Sequence, residues 1–237
     1  MEIMTISQIS PDQVIFWHWG FITINATLVF TWLVMAILVI GSWLVTRNLS
    51  PTIHSSRWQT FLEVVVSGIR REIDEVSKGE ALYYLPFIGT LFLFIALANI
   101  LAIVPGYVAP TASLTTTAAL ATCVFIAVPL YGITRQGIGE YLKEYFRPTF
   151  IFFPFHVMGE FSRTLALTVR LFGNIMSHEK VIAILLSVTP LFFPVVMQAL
   201  GLMIGLIQAY IFSVLTMVYI ASATQAHEEH GKKEDKQ

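Results

Sequence analysis

The sequence predicts an all-α polytopic membrane protein: about five transmembrane helices, one amphipathic interfacial helix, and a long, steeply tilted helix hairpin at the C-terminal end. Three observations carry this. Of the 237 residues, 56% are hydrophobic and 12% charged, about half the charge of an average soluble domain. No Asp, Glu, Lys, Arg or His occurs from Ala81 to Thr134 or from Val181 to Ala226. Each run is longer than the ~20 residues that one helix needs to cross a bilayer, and prolines and glycines interrupt both.

The first span is expected over residues 21–45, and no Lys or Arg precedes Arg47. Arg47, Arg57, Arg70, Arg71 and Lys78 follow. Cytoplasmic loops collect Lys and Arg, so the N-terminus is expected outside and this segment inside. Within it, over residues 57–78, Trp58, Phe61, Leu62, Val65, Ile69, Ile73 and Val76 recur at helical spacing, with charges on the other face. Such a helix lies on the membrane surface or against another subunit. The second span is expected over 84–104 and the third over 114–133, with an uncharged Pro105-Gly106 loop between them. Arg135, Lys143 and Arg147 then form a second basic loop, so the basic segments fall on one side throughout.

The fourth helix is expected over 155–186. At 1.5 Å per residue it would be ~48 Å long, against a hydrocarbon layer of ~30 Å, so it must tilt steeply. Pro190 and Pro194 mark a turn, and the last span covers 191–223. Residues 1–226 thus form a single membrane domain, and the charged segment 227–237 reads as a disordered cytoplasmic tail. The N-terminus lacks the basic start of a cleaved signal peptide. The one cysteine, Cys123, permits no disulfide within the chain, and a net charge of −1 gives no reason to expect nucleic acid as a partner. No metal or cofactor is expected.

The fourth helix is polar where lipid would demand otherwise. His156, Glu160, Arg163, Arg170, Asn174 and His178 fall within an arc of roughly 80° at ~100° per residue. Polar residues inside a membrane normally face a partner or a water-filled path. Glu160 and Arg163, spaced i,i+3, can neutralise each other. Arg170 has no acid at i±3 or i±4; its guanidinium does not deprotonate, and at mid-membrane it costs at least ~2.5–3.5 kcal/mol. Its partner must come from another helix, another subunit or water. Glu179 points away from this arc, either titrating with His178 or simply solvated at an interface. On the last helix Gln198, Gly201, Gly205 and Gln208 share one side, with the glycines at i,i+4 allowing close approach.

Around Arg170-Leu-Phe-Gly-Asn174, with Glu179 five residues on and Gln208-Ala-Tyr-Ile-Phe downstream, the chain resembles subunit a of the F-type ATP synthase membrane sector. Pro86-Phe-Ile-Gly-Thr and Pro110-Thr-Ala-Ser-Leu-Thr-Thr-Thr also look like family segments. The resemblance implies an ion-translocating stator subunit in the cell inner (plasma) membrane. In that family the arginine faces a rotating ring of c subunits, and two offset half-channels carry H+ or Na+ to and from the ring carboxylates. It implies these roles for Arg170, Asn174, Glu179 and Gln208; His178 is read beside them as serving the same access path, and Glu160, Arg163, Gly201 and Gly205 as a supporting polar stripe. It also implies a b or b′ peripheral stalk, indirect contact with the soluble F1 head where the ATP chemistry occurs, and surrounding lipid as partners.

Three departures from the family pattern stand out. Gly201 occupies a place where some members carry histidine, while His178 appears on the preceding helix. Ser113 and Thr115 replace an acid and an amide in the loop, so the outer entrance should be less acidic. The loop between the second and third spans is short. These features look like the alternate, or N-type, branch, some of whose members use sodium. Two other readings compete: a self-contained proton-coupled secondary transporter using Glu160, Arg170 and Glu179, against which no inverted repeat is visible, and a structural scaffold for other membrane subunits.

Overall fold

The computed structural model describes residues 15–19, 22–47, 57–77, 79–104, 106–139, 153–188 and 193–234. The basic loop bearing Lys143 and Arg147 and the turn at Pro190 lie outside them. Among the described residues the order is a two-stranded hairpin, β1 (Ile15–Trp19) and β2 (Ile22–Asn25), then α1 (Ala26–Thr46), α2 (Arg57–Ser77) and α3 (Ala81–Leu101). A 3-10 turn at Pro110–Ala112 leads into α4 (Leu114–Gln136), followed by α5 (Phe153–Val188) and α6 (Phe193–Glu234). Five of these helices, α1, α3, α4, α5 and α6, are long and apolar enough to cross a membrane.

The hairpin corrects the expected start of the first span. Residues 22–25 pair antiparallel with β1, and the helix begins at Ala26 rather than Phe21. Ile22-Thr23-Ile24 is a β-branched run, which suits an extended chain. α3 lies about one turn earlier than expected. Its last turn tightens into i→i+3 bonds, Ala102 to Asn99 and Val104 to Leu101, ahead of Pro105, which cannot donate to a helix. At the other end of the chain, α6 continues to Glu234 through most of the segment expected to be a disordered tail. There Glu228 and Glu229 stand four residues before Lys232 and Lys233, a spacing that favours helix.

α3 is the centre of the bundle. Ile88, Ile95 and Ala98 are fully packed, and α3 contacts α1, α2 and α6. α5 packs against α4 and α6 through Leu167, Leu171 and Ile175. α2 inserts Ile73 into the core and leaves its charged side out, joined by Arg70–Asp74 and Arg71–Glu75 pairs. α1 is peripheral, burying only Ala26, Thr27 and Val34. Between helices in lipid there is no hydrophobic drive to associate, so packing and hydrogen bonds hold them. The hydroxyls of Thr164, Thr168, Ser213 and Thr216 each donate to the carbonyl one turn back, which removes their cost in an apolar medium. One end of the α3–α4 pair carries Tyr83, Tyr84 and Tyr131 in edge contact, together with an Arg135–Glu80 ion pair. Aromatic rings and basic residues of this kind gather at membrane–water interfaces.

Candidate functional site

α5 presents its polar residues on both sides of one packed ridge. Leu167, Leu171 and Ile175 form the ridge, at 2%, 0% and 8% exposure. Successive residues turn by ~100°, so Arg170 and Asn174 lie to one side of the ridge, and Thr168 and Glu179 to the other.

The first side meets α6. Asn174 Nδ2 donates to Gln208 Oε1 at 2.7 Å. Gln208 is 2% exposed, and its Nε2 has no hydrogen-bond partner among the described residues. One turn along α5, the His178 imidazole occupies the space where a residue larger than glycine at 201 would place its side chain: a Cβ there would meet Nε2 at 1.6 Å. The glycine on α6 and the histidine on α5 are therefore complementary in shape. Toward the start of α5, Arg163 Nη1 bonds Glu160 Oε1 at 2.8 Å. The same guanidinium lies 5.3 Å from the centre of the Tyr219 ring on α6, so it bridges the hairpin as well as neutralising Glu160.

On the second side Glu179 meets the loop before α4, accepting a hydrogen bond from the Ala109 backbone N–H. Between the two sides lies a cavity of about 220 Å³, whose polar lining includes Asn99, Tyr107, Asn174, His178, Glu179 and Gln198. That volume accommodates several waters. Residues from α3, the loop, α5 and α6 thus converge on one polar space, although those from different elements are far apart in sequence.

Asn99, Thr111 and Tyr107 did not stand out in the sequence. Asn99 Nδ2 donates to the Gly205 carbonyl at 3.0 Å, and its Oδ1 accepts from Thr111 at 3.0 Å. A Cβ at Gly205 would come within 2.8 Å of the Asn99 Cβ. Gln198 Nε2 donates to the Ala102 carbonyl at 2.7 Å, a second tie between α6 and the end of α3. The available signal was Asn99 itself, the one amide in the uncharged run that forms α3.

Arg170 does not line the cavity. Its side chain is exposed on the outward flank of α5, and no described carboxylate lies within ion-pair distance of it. One and two turns away on the same face, Ala166 and Ser177 are also exposed. A permanent charge on an uncovered face of a membrane helix needs a partner that the described residues do not supply.

The family model described as "ATP synthase A chain" matches residues 28–221. The chain is 58% identical to "ATP synthase subunit a 2" of Acaryochloris marina, covering 94% of this chain and 95% of that one. It is 56% identical to "ATP synthase subunit a" of Albidiferax ferrireducens, covering 92% and 94%. With "ATP synthase subunit a 2" of a Picosynechococcus species it shares 59% identity over 94% and 95%. With its spans, its polar hairpin and these matches over nearly the whole length, the chain belongs to the ATP synthase A chain family.

Proposed function

We propose that this chain is the ion-translocating stator subunit of an F-type ATP synthase membrane sector, carrying H+ or Na+ between two offset half-channels and the carboxylates of a rotating c-ring. The observation that supports this most is the division of α5. Its arginine, exposed and without an ion-pair partner among the described residues, stays outside the polar cavity that Asn174, His178 and Glu179 line. A ring passing the bare flank would bring one carboxylate at a time to Arg170. The fixed positive charge favours the deprotonated carboxylate and disfavours the ion-loaded one. It also repels a cation attempting a direct crossing, so the ion must travel round with the ring. Each elementary charge moved down ~100 mV supplies ~2.3 kcal/mol, and several are summed per ATP.

The cavity with Glu179, His178 and Asn174 is then the outer access path, and Gln208 is the buried amide between that path and the ring. The distribution of Lys and Arg supports an N-terminus outside and a C-terminus in the cytoplasm, in the cell's inner membrane. Peripheral-stalk b or b′ helices and lipid would cover the remaining apolar surface. ATP synthesis and hydrolysis would occur in the soluble F1 head, with this chain non-catalytic. The exchange of imidazole and glycine between positions 178 and 201 supports the alternate branch.

The test is Arg170→Ala in the assembled complex. ATP-driven pumping and ion-driven synthesis are expected to be lost while the subunit remains assembled. Full coupled pumping by that variant would overturn the mechanism. Arg170→Lys keeps the charge without the planar fork and should retain only a fraction of the activity.

A further inference from the structure

Tyr107 is a buried polar group that the proposed ion path does not yet use. Its hydroxyl is shielded from solvent and has no hydrogen-bond partner among the described residues, an arrangement that ordinarily destabilises. The local chain holds it in place. Gly106 has φ +86, a backbone region that glycine enters without strain. The Tyr107 N–H closes the turn onto the Val104 carbonyl at 3.1 Å. On the other side, the ring of Phe30 on α1 meets the Tyr107 ring edge-on, with centroids 4.9 Å apart.

Tyr107 and Glu179 line the same cavity. The loop that carries Tyr107 already supplies the carboxylate with one donor, the Ala109 N–H. An ionised carboxylate has room for several donors. We propose that the Tyr107 hydroxyl is the second donor to the Glu179 carboxylate when it is charged, making Tyr107 a positioning residue for the access path. This rests on the reading of Glu179 as part of that path. Burial, and then the charge of Glu179, push the phenol well above its ordinary pKa, so it remains a neutral donor at any working pH. Among the described residues the other titratable group on the cavity wall is His178, beside Glu179 on α5; α3 and α6 present the uncharged Asn99 and Gln198.

A donor to the charged form favours that form. Without the hydroxyl, Glu179 should hold its proton more tightly and load at higher outer pH. The test uses complete complexes in liposomes, with charge flux through the membrane sector driven by a K+/valinomycin potential at fixed Na+ while the outer pH is varied. Tyr107→Phe keeps the ring packed on Phe30 and removes only the hydroxyl. Its half-maximal pH is expected to rise by roughly half a unit to one unit, the range of one modest hydrogen bond. In a Glu179→Gln background the same change should move nothing further. An unmoved midpoint in Tyr107→Phe, including a uniform fall in flux at every pH, overturns the role of the hydroxyl. If Glu179→Gln alone leaves flux and profile unchanged, the reading of Glu179 fails instead.

Discussion

Gly201 matters because it has no side chain. The His178 imidazole fills the place where a Cβ would be, so Gly201→Ala must displace the ring or push the hairpin apart. Overpacking of this kind costs about 1–3 kcal/mol. Ion flux is expected to fall at least several-fold, since the displaced ring belongs to the cavity wall. His178→Ala with Gly201→Ala should recover assembly and thermal stability, because the clash needs both side chains. A double-mutant cycle in the purified complex measures this, and additivity of the two single effects would show that the residues do not interlock. Asn174 and Gln208 are coupled in the same manner through their 2.7 Å hydrogen bond. By contrast the exposed Arg135–Glu80 pair should contribute at most about 1 kcal/mol.

Among the elements, α5 and α3 divide the work. α5 has a packed ridge and a bare flank, so the two should respond differently to a probe. Cysteines at 166 and 177, exposed and one and two turns from Arg170 on its face of the helix, are expected to cross-link to a cysteine on a ring subunit, whereas cysteines at 167 and 171 are not. Equal cross-linking from both sets would contradict the proposed ring-facing flank. α3 acts as the fixed post of the site, because Asn99 ties both α6 and Thr111 to it. Asn99→Leu removes both bonds; the Gly205 carbonyl keeps its helical bond, but the buried Thr111 hydroxyl loses its acceptor, at a cost of about 1–3 kcal/mol if it stays dry. The expected result is a lower melting temperature and reduced flux. Unchanged stability would mean that water replaces the amide.

Taken as a whole, the molecule is incomplete alone. α1 is bare over most of its length, with Trp32, Val39 and Trp43 each more than half exposed. α5 has 36 residues, giving ~54 Å of helix for a layer of ~30 Å. Such a helix cannot stand upright in the bilayer, and its tilt spreads the polar stripe across more than one depth. Lipid and neighbouring subunits must therefore complete the surface.

Composition and the spacing of charges alone determined the helical membrane class, the amphipathic α2 and the isolation of Arg170, because lipid penalises each unpaired polar group and leaves few places to put one. The i,i+3 spacing likewise anticipated the Glu160–Arg163 pair, which depends only on helix geometry. The partners of Asn174, His178 and Glu179 could not be read in this way, since each lies on a different element: Gln208 and Gly201 on α6, and Ala109 in the loop. Helical periodicity gives a residue's direction on its own helix, but not what stands opposite. Tertiary packing alone decided that opposing set, through the register of α6 against α5 and the tie of Asn99 to both α6 and the loop. That register brought Asn174, His178 and Glu179 to one cavity and left Arg170 exposed outside it, without a partner among the described residues.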